Sequence, residues 1–251
     1  MPAAQRLVTL APHLTELVFS AGAGELLVGV SAYSDYPPAA GDIPVVSDGF
    51  RIDAEAMLAA DPDLVLAWGG GGQASSLALL DKLGIRYVVI ETRRLADVGP
   101  ALQQIGALTG NSAPAETAAR DFEQAIRALD MPRDSLSVFY QISHEPPFYT
   151  VNDEHFISDL IRLCGGSNVF ADLPTTVATV SVEAVVLADP DVVLHGAGDG
   201  EHLVWTDFET MSVSETGSVY AIPGDLVGRP SVRLVEGARA VCEALDAARI
   251  R

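Results

Sequence analysis

The chain has 251 residues, of which 49% are apolar and 20% are charged, and its formal net charge is −19. It can therefore bury a substantial core, as one large domain or two small ones, which excludes a disordered protein. The acidic charge argues against a nucleic-acid partner, because no basic stripe is present to displace counterions from phosphates. The apolar runs are of strand length and fall far short of the roughly 20 residues that a membrane span needs.

In the first half of the chain, short apolar segments alternate with helical patterns. Strands are predicted at 6–10, 27–31, 43–47, 64–68 and 85–91. Helices are predicted at 15–21, 75–83 and 95–109. This alternation is typical of a parallel α/β sheet.

A longer helix is predicted over 111–130, because no breaker follows Pro114 in its first turn. Ala119, Phe122, Ile126 and Leu129 form its apolar face. At 1.5 Å per residue it extends about 25–30 Å, enough to connect two lobes. The predicted domains are an N-terminal α/β lobe over 1–110, a linking helix over 111–131 and a C-terminal α/β lobe over 132–251.

The second half resumes the alternation after the linking helix. Its predicted elements are a strand at 137–142, a proline-stiffened aromatic loop at 144–149, a helix at 156–163, a strand at 219–222, a loop at 223–230 and a final helix that Ser231 caps and that ends near 248.

One stretch of the first half recurs in the second half without a gap. Residues 52–72 read IDAEAMLAADPDLVLAWGGGG, and residues 180–200 read VSVEAVVLADPDVVLHGAGDG. In each copy an N-cap, Asp53 or Ser181, starts a short helix, Asp-Pro breaks it, and an apolar strand runs into glycines. A unit repeated half a chain apart predicts two similar Rossmann-like lobes with a ligand cleft between them.

Glu55 and Glu183 occupy equivalent positions in the first turn of the repeated helix. A carboxylate there gains about 0.3–1 kcal/mol from the helix dipole, which is a sufficient reason for either glutamate alone. As a pair related by pseudo-symmetry, the two acids fit docking onto a two-fold partner.

No catalytic or phosphate-binding motif is complete. GxSxG, HExxH and HxH are absent, and the five histidines are scattered: His13, His144, His155, His195 and His202. The run Gly69 to Gly72 lacks both GK[ST] and GxGxxG, so we interpret it as a flexible turn that lets a ligand or partner approach. A metal site is not expected, and an α/β enzyme that uses a nucleotide is the weaker alternative.

Aromatic residues make up only 6% of the chain, yet many fall at strand ends or in loops. They are Tyr33, Tyr36, Phe50, Trp68, Phe148, Tyr149 and Trp205. This placement predicts a flat apolar ligand surface, although each ring could also lie in a core or at its rim. Asp225 and Arg229, in the loop before the last helix, could orient a ligand or form a local salt bridge.

Two features bear on the cellular compartment. The N-terminal sequence MPAAQRLVTLAP shows no signal peptide, so either a leader has been removed or the protein is cytosolic. Cys164 and Cys242 lie in no metal-ligand spacing. They could pair in an oxidising compartment and would be buried thiols in cytosol.

Four segments resemble the vitamin B12-binding proteins of ABC importers, which belong to the helical-backbone class of substrate-binding proteins. They are TLAPHLTELVFSAGAGELLVGVSAYSDYPP, ADPDLVLAW, LCGGSNVF and IPGDLVGRPSVRLVEGARAVCEAL, and the resemblance covers nearly the whole chain. It implies a monomeric, non-enzymatic periplasmic protein with two α/β lobes joined by one long helix. Such a protein holds cobalamin in the cleft as a transported ligand, without a catalytic cofactor, and hands it to a permease dimer.

The resemblance also implies roles for single residues. By position, Tyr33 matches a corrin-contacting tyrosine, and the segment from Asp225 to Arg229 matches a polar segment that hydrogen-bonds the corrin periphery. With Phe50, Trp68 and Tyr149 these residues make up the expected ligand site.

Two further pairs follow from the resemblance. Glu55 and Glu183 match the two glutamates that bind arginine sockets on the permease. Cys164 and Cys242 match the cysteines that form a disulfide in the second lobe.

The chain departs from the family at several aromatic positions. Gly49, Val177 and Ile142 stand where the best-known member has two tryptophans and a phenylalanine, although Phe50 could substitute for one of them. The aromatic cage is thinner, so another corrinoid such as cobinamide, haem or an iron–siderophore becomes an alternative ligand. His13 replaces a small residue and could face a bound metal or be a surface or capping histidine.

Overall fold

The computed structural model describes residues 2–49, 51–70, 74–143, 146–196 and 204–250. The chain divides into two compact units, each made of two segments. The first unit contains Met1–Gln124 and Arg229–Val232, and the second contains Ala125–Gly228 and Arg233–Arg251. Both units are built on parallel sheets, so the predicted two-lobed α/β class is confirmed. The three predicted domain ranges stay a prediction.

The first unit contains a five-stranded parallel sheet in the order β3-β2-β1-β4-β5. Its strands are β1 (Leu7–Thr9), β2 (Leu27–Ser31), β3 (Val45–Ser47), β4 (Leu64–Trp68) and β5 (Tyr87–Ile90). Its helices are α1 (Pro12–Ser20), α2 (Ala54–Ala60), α3 (Ala74–Leu83) and α4 (Val98–Thr109), with 3-10 turns at Gly24–Leu26, Pro38–Asp42 and Leu95–Asp97. The central strands β1 and β4 read as apolar runs because parallel strands are covered on both faces.

Helix α5 (Ser112–Arg127) contains the boundary between the two units. It has 16 residues and is therefore about 24 Å long. Ala115, Ala119 and Phe122 form its buried stripe, as the apolar period predicts. The helix ends three residues before the predicted end at residue 130. In the described part of the chain, no helix combines the length and apolarity needed to cross a bilayer.

The second unit has a four-stranded parallel sheet in the order β11-β10-β6-β8 and a separate antiparallel pair, β7 and β9. The strands are β6 (Leu136–Gln141), β7 (Phe148–Val151), β8 (Gly166–Asn168), β9 (Val177–Val180), β10 (Val192–Gly196) and β11 (Val219–Ile222). The helices are α6 (Phe156–Leu163), α7 (Val182–Ala188), α8 (Ser212–Thr216), α9 (Gly224–Val227) and α10 (Leu234–Arg249), with a 3-10 turn at Val204–Asp207.

Two loop predictions in the second half were wrong in part. Within the expected loop 144–149, residues from Phe148 onward form β7, which pairs with β9. That pairing is non-local, and nothing in the sequence around the prolines shows it. The expected loop 223–230 contains the short helix α9. His144 and Glu145 lie outside the described residues.

The core of the second unit is aromatic. Trp205 is fully buried, and its ring meets Phe139 and Phe148 at centroid distances of 5.6 and 4.8 Å. Its indole N–H donates to Oε1 of Gln141 at 2.5 Å, which satisfies its polar group. Phe148 and Trp205 therefore belong to the core and are removed from the expected ligand surface.

The repeated stretch has the same local structure in both units. The first aspartate of each Asp-Pro-Asp run ends its helix in the left-handed conformation, with φ of 44° and 40°. The second aspartate accepts a backbone N–H just before or at the start of the neighbouring strand. Asp63 accepts from Gln5 at 2.8 Å, and Asp191 accepts from Ser137 at 2.7 Å. The repeat thus joins a helix end to an inner strand of each sheet.

A disulfide joins Cys164, at the end of α6, to Cys242 in α10. The predicted pairing is confirmed. The two cysteines are 78 residues apart in sequence, so the bond restricts a large part of the unfolded chain.

We expect the Cys164→Ala/Cys242→Ala variant to lose about 2–4 kcal/mol of unfolding free energy in urea titrations, because its unfolded state regains the entropy of a long loop. Reductant should lower the wild-type stability by a similar amount and leave the variant unchanged. A wild-type midpoint that does not respond to complete reduction contradicts this expectation.

Candidate ligand-binding site

The predicted ligand residues of the first unit follow the carboxyl ends of its parallel strands. His13 follows β1, Tyr33 follows β2 and Trp68 ends β4. Thr92, which is buried and was not predicted for the site, follows β5. In open α/β sheets, ligands bind at this edge because the strand-to-helix connections gather there.

Tyr33 is exposed on a fixed and strained backbone. Its φ is 65°, a left-handed conformation that costs a residue other than glycine about 1–3 kcal/mol. Its side chain is 78% exposed, so packing does not compensate for the strain. The next residue is anchored instead, because the Ser34 hydroxyl lies 3.0 Å from that of Thr15 and 3.3 Å from that of Ser31. Strain at an exposed aromatic residue is typical of a functional position.

Trp68 lies half-buried at the end of β4 and is supported by His13. The two rings meet edge to face at a centroid distance of 4.9 Å. Gly70 allows the indole to lie against the backbone, because a Cβ there would come within 2.8 Å of the ring. Gly71 and Gly72, the rest of the predicted glycine turn, lie outside the described residues.

His13 is buried, with 3% exposure, and is not the surface or capping histidine that was expected. Its Nε2 lies 3.2 Å from the Thr92 hydroxyl. Burial, reinforced by the positive charge of Arg229, lowers the pKa of His13 to about 3. The imidazole is therefore neutral and packs behind Trp68.

A pocket of about 470 Å³ opens beside the Tyr33 loop, at the carboxyl ends of β2 and β3. Its lining residues are Ala32, Val45, Ser47, Asp48, Arg51, Ile52 and Asp53. Gly49 lies in the same connection with φ of 96° and open space around its Cα. The absence of a large side chain there fits the thinner aromatic cage expected from the sequence. Phe50, the predicted substitute, lies outside the described residues.

Arg229 forms ion pairs within the first unit. Its guanidinium donates to Oε1 of Glu16 at 3.2 Å and to Oδ1 of Asp35 at 2.5 Å. The hydroxyl of Ser231 donates to the other oxygen of Glu16. Glu16 is 2% exposed, so its charge is balanced inside the protein rather than by water.

Sequence reasoning missed this cluster because Glu16 and Arg229 are separated by 213 residues. Asp35 was visible only as part of the YSDYPP loop. A glutamate inside the apolar α1 was the available signal, since a buried acid needs a partner.

In the second unit, Tyr149 points outward from β7 with 45% exposure, while its neighbours Phe148 and Thr150 are buried. The alternation of side chains along a strand produces this arrangement. Tyr149 is held by its backbone, which donates to the Ser143 hydroxyl and accepts from the Ile142 N–H, both at 2.8 Å. Asp225 is exposed in the first turn of α9.

In the second repeat, His195 and Gly196 end β10 at the positions that Ala67 and Trp68 hold in the first repeat. Nδ1 of His195 lies 2.8 Å from the carbonyl oxygen of Gly196, which can only accept, so Nδ1 carries the proton. Within the described ranges, no three His, Cys, Asp or Glu side chains converge in a way that could hold a metal ion.

Glu55 and Glu183 are exposed at the second position of α2 and α7. Hydrogen bonds from the Ser181 hydroxyl and from its own backbone N–H lower the pKa of Glu183. Each glutamate shares a helix face with an exposed leucine, Leu58 at 55% and Leu187 at 89%. Both helices thus present an acid beside an apolar side chain.

The model of the family described as "Periplasmic binding protein" matches residues 7–208 of the chain. The chain belongs to this family. It is 33% identical to a vitamin B12-binding protein of Vibrio cholerae, over 98% of the chain and 90% of that protein.

Two solved structures are also similar. The periplasmic vitamin B12 binding protein of Vibrio cholerae shares 32% identity and a TM-score of 0.91, with 99% of each chain covered. A periplasmic heme-binding protein in complex with two hemes has a TM-score of 0.85 at 20% identity, over 98% of this chain and 99% of that one. The second likeness is one of fold alone.

The lowered histidine pKa values predict a loss of stability in mild acid. His155 accepts the Ile157 N–H through Nδ1, and burial lowers its pKa to about 4. Both His13 and His155 are neutral in either state above pH 6.5, where their contribution to stability is fully present. As the pH falls below 6.5 the unfolded chain binds protons that the folded chain excludes. Together they should lower the unfolding free energy by about 2–3 kcal/mol between pH 6.5 and 5.

Urea titrations across this range measure the effect. His155→Asn keeps an N-cap acceptor and should remove about half of the pH dependence. An unchanged slope in this variant would show that His155 does not contribute to the loss.

Proposed function

We propose that the protein is the substrate-binding component of an ABC importer and binds cobalamin or a related corrinoid. Identity to vitamin B12-binding proteins over nearly the whole chain carries this proposal. The exposed Tyr33, which follows the pocket-lining Ala32, supports it, because a corrin offers a flat apolar face to an aromatic ring. A periplasmic location, an absence of catalysis and a monomeric state are parts of the same proposal.

The proposed contacts come from both units. Tyr33, Phe50 and Trp68 supply aromatic surface in the first, and Tyr149 and Asp225 supply a ring and a polar group in the second. His13 remains in the site in a supporting role, because burial places its ring behind Trp68.

Calorimetry with cyanocobalamin tests the ligand assignment, and we expect a one-to-one complex. Tyr33→Ala should weaken binding about tenfold, since a well-placed aromatic contact contributes on the order of 1 kcal/mol beyond its area. Met131→Ala, which removes a side chain 59% exposed at a position that follows no strand, is the matched control and should bind as the wild type does.

The alternatives have their own readouts. Binding of dicyanocobinamide but not cyanocobalamin would redefine the corrinoid. A Soret band with hemin, together with no heat from either corrinoid, would replace the proposal with haem binding, for which the Tyr33 phenol is the available ligand. Thermal stabilisation by ATP or GTP alone would favour the enzyme alternative.

We also propose that Glu55 and Glu183 dock onto the permease. Their exposure at equivalent positions of the two repeated helices supports this, because two equivalent acids fit docking onto a two-fold partner.

Charge reversal tests the docking proposal in proteoliposomes that hold the cognate permease. Glu55→Lys/Glu183→Lys should abolish uptake of labelled ligand and leave its Kd within about twofold, because the two acids contact only the transporter. Glu25→Lys/Glu215→Lys alters one exposed acid in each unit and should preserve uptake. A parallel loss of ligand affinity in the first variant would point to misfolding instead of lost docking.

A further inference from the structure

Two neighbouring residues of α1, Thr15 and Glu16, hold the loop that carries Tyr33, the first directly and the second through Arg229. On one side, Thr15 of this helix hydrogen-bonds to the Ser34 hydroxyl at 3.0 Å. On the other side, Glu16 of the same helix pairs with Arg229, which in turn pairs with Asp35. The residues immediately after Tyr33 are therefore fixed, while Tyr33 itself is exposed to solvent.

The ion pairs of Arg229 are strong because of where Glu16 lies. The side chain of Glu16 is 1% exposed and that of Arg229 is 13% exposed, so water screens their attraction weakly. A planar guanidinium can serve two carboxylates at once through its fork of N–H donors. The buried Glu16 thus holds the Arg229 guanidinium in place. The same guanidinium forms a second ion pair with Asp35, whose side chain is 62% exposed.

The electrostatics do not favour Arg229 as the principal anchor of an anionic ligand. Two carboxylates within ion-pair distance more than balance its single positive charge. What the arrangement does provide is an attachment point for the loop that carries Tyr33. The backbone of that residue is in a strained conformation, which persists only when its surroundings impose it.

We propose that Arg229 and Asp35 are positioning residues that preorganise Tyr33 for ligand binding. Their ion pair keeps Tyr33 in its left-handed conformation, so the ring does not have to be ordered when the ligand arrives. Preorganisation raises affinity because less conformational entropy is lost on binding. This inference rests on the proposed function only in taking Tyr33 as a ligand contact.

Hydrogen exchange tests the positioning role without any ligand. The Ser34 N–H bonds to the Ser31 carbonyl, and the Ala32 N–H bonds to that of Ser47, so both report on the loop. In Asp35→Asn, both should exchange about tenfold faster while the global unfolding midpoint stays the same, since local opening is independent of global unfolding. Asp81→Asn, the same change at an exposed site on α3, should leave both rates unchanged. Unchanged rates in Asp35→Asn overturn the inference, whether or not a corrinoid binds.

A double-mutant cycle on cyanocobalamin affinity then separates positioning from contact. We expect Asp35→Asn to weaken binding about fivefold in the wild type and to have no further effect in Tyr33→Ala, because the two changes act through one ring. If Asp35→Asn weakens binding fivefold in Tyr33→Ala as well, Asp35 or Arg229 contacts the ligand itself, and the inference is overturned. If the wild type binds no corrinoid, the proposed function fails, and the exchange rates alone decide the positioning role.

Arg229 is tested with a different variant, because replacing it alone would leave the buried carboxylate of Glu16 without its ion-pair partner. Arg229→Met/Glu16→Gln removes both members of the buried pair and should fold. We expect this variant to accelerate Ser34 exchange as Asp35→Asn does. Wild-type exchange and wild-type affinity in it would show that the loop does not depend on Arg229.

Discussion

The direction of parallel strands is the constraint on which the candidate site depends. In a parallel sheet every strand runs the same way, so each strand-to-helix connection leaves from the same edge. His13, Tyr33, Trp68 and Thr92 come from four different parts of the chain, yet this rule brings them to one border of the first sheet. The position of the candidate site in that unit is therefore a property of strand order, and its chemistry is set by the few residues at each strand end.

In the repeated segment, some positions maintain the fold and others form the surface at the end of the strand. In both units the first aspartate ends the helix in the left-handed conformation and the second accepts a backbone N–H, so those positions serve the connection between helix and sheet. The strand ends differ, with Ala67 and Trp68 in one copy and His195 and Gly196 in the other. Variation at the strand ends changes the surface that a ligand meets and leaves the hydrogen bonds of the connection intact.

Local patterns in the sequence predicted most of the helices and strands, whereas contacts between residues far apart in the chain could not be predicted. The strands 27–31 and 219–222 and the helix 156–163 were predicted to the residue, because period and caps are local signals. The β7–β9 pair, the burial of Trp205 and the partners of Glu16 depend on residues far apart in the chain. For the same reason Tyr33 could be named as a candidate, but the ion pairs that hold its loop could not.

The first unit consists of two segments that are far apart in the sequence, so the ribosome does not make it as one continuous stretch. Most of that unit is encoded before residue 125, but Arg229 and Ser231, the partners of the buried Glu16, are made only after residues 125–228. A growing chain therefore carries Glu16 without its counter-charge until residue 229 has been synthesised. The first unit reaches its final state only after residues 125–228 of the second unit have been made.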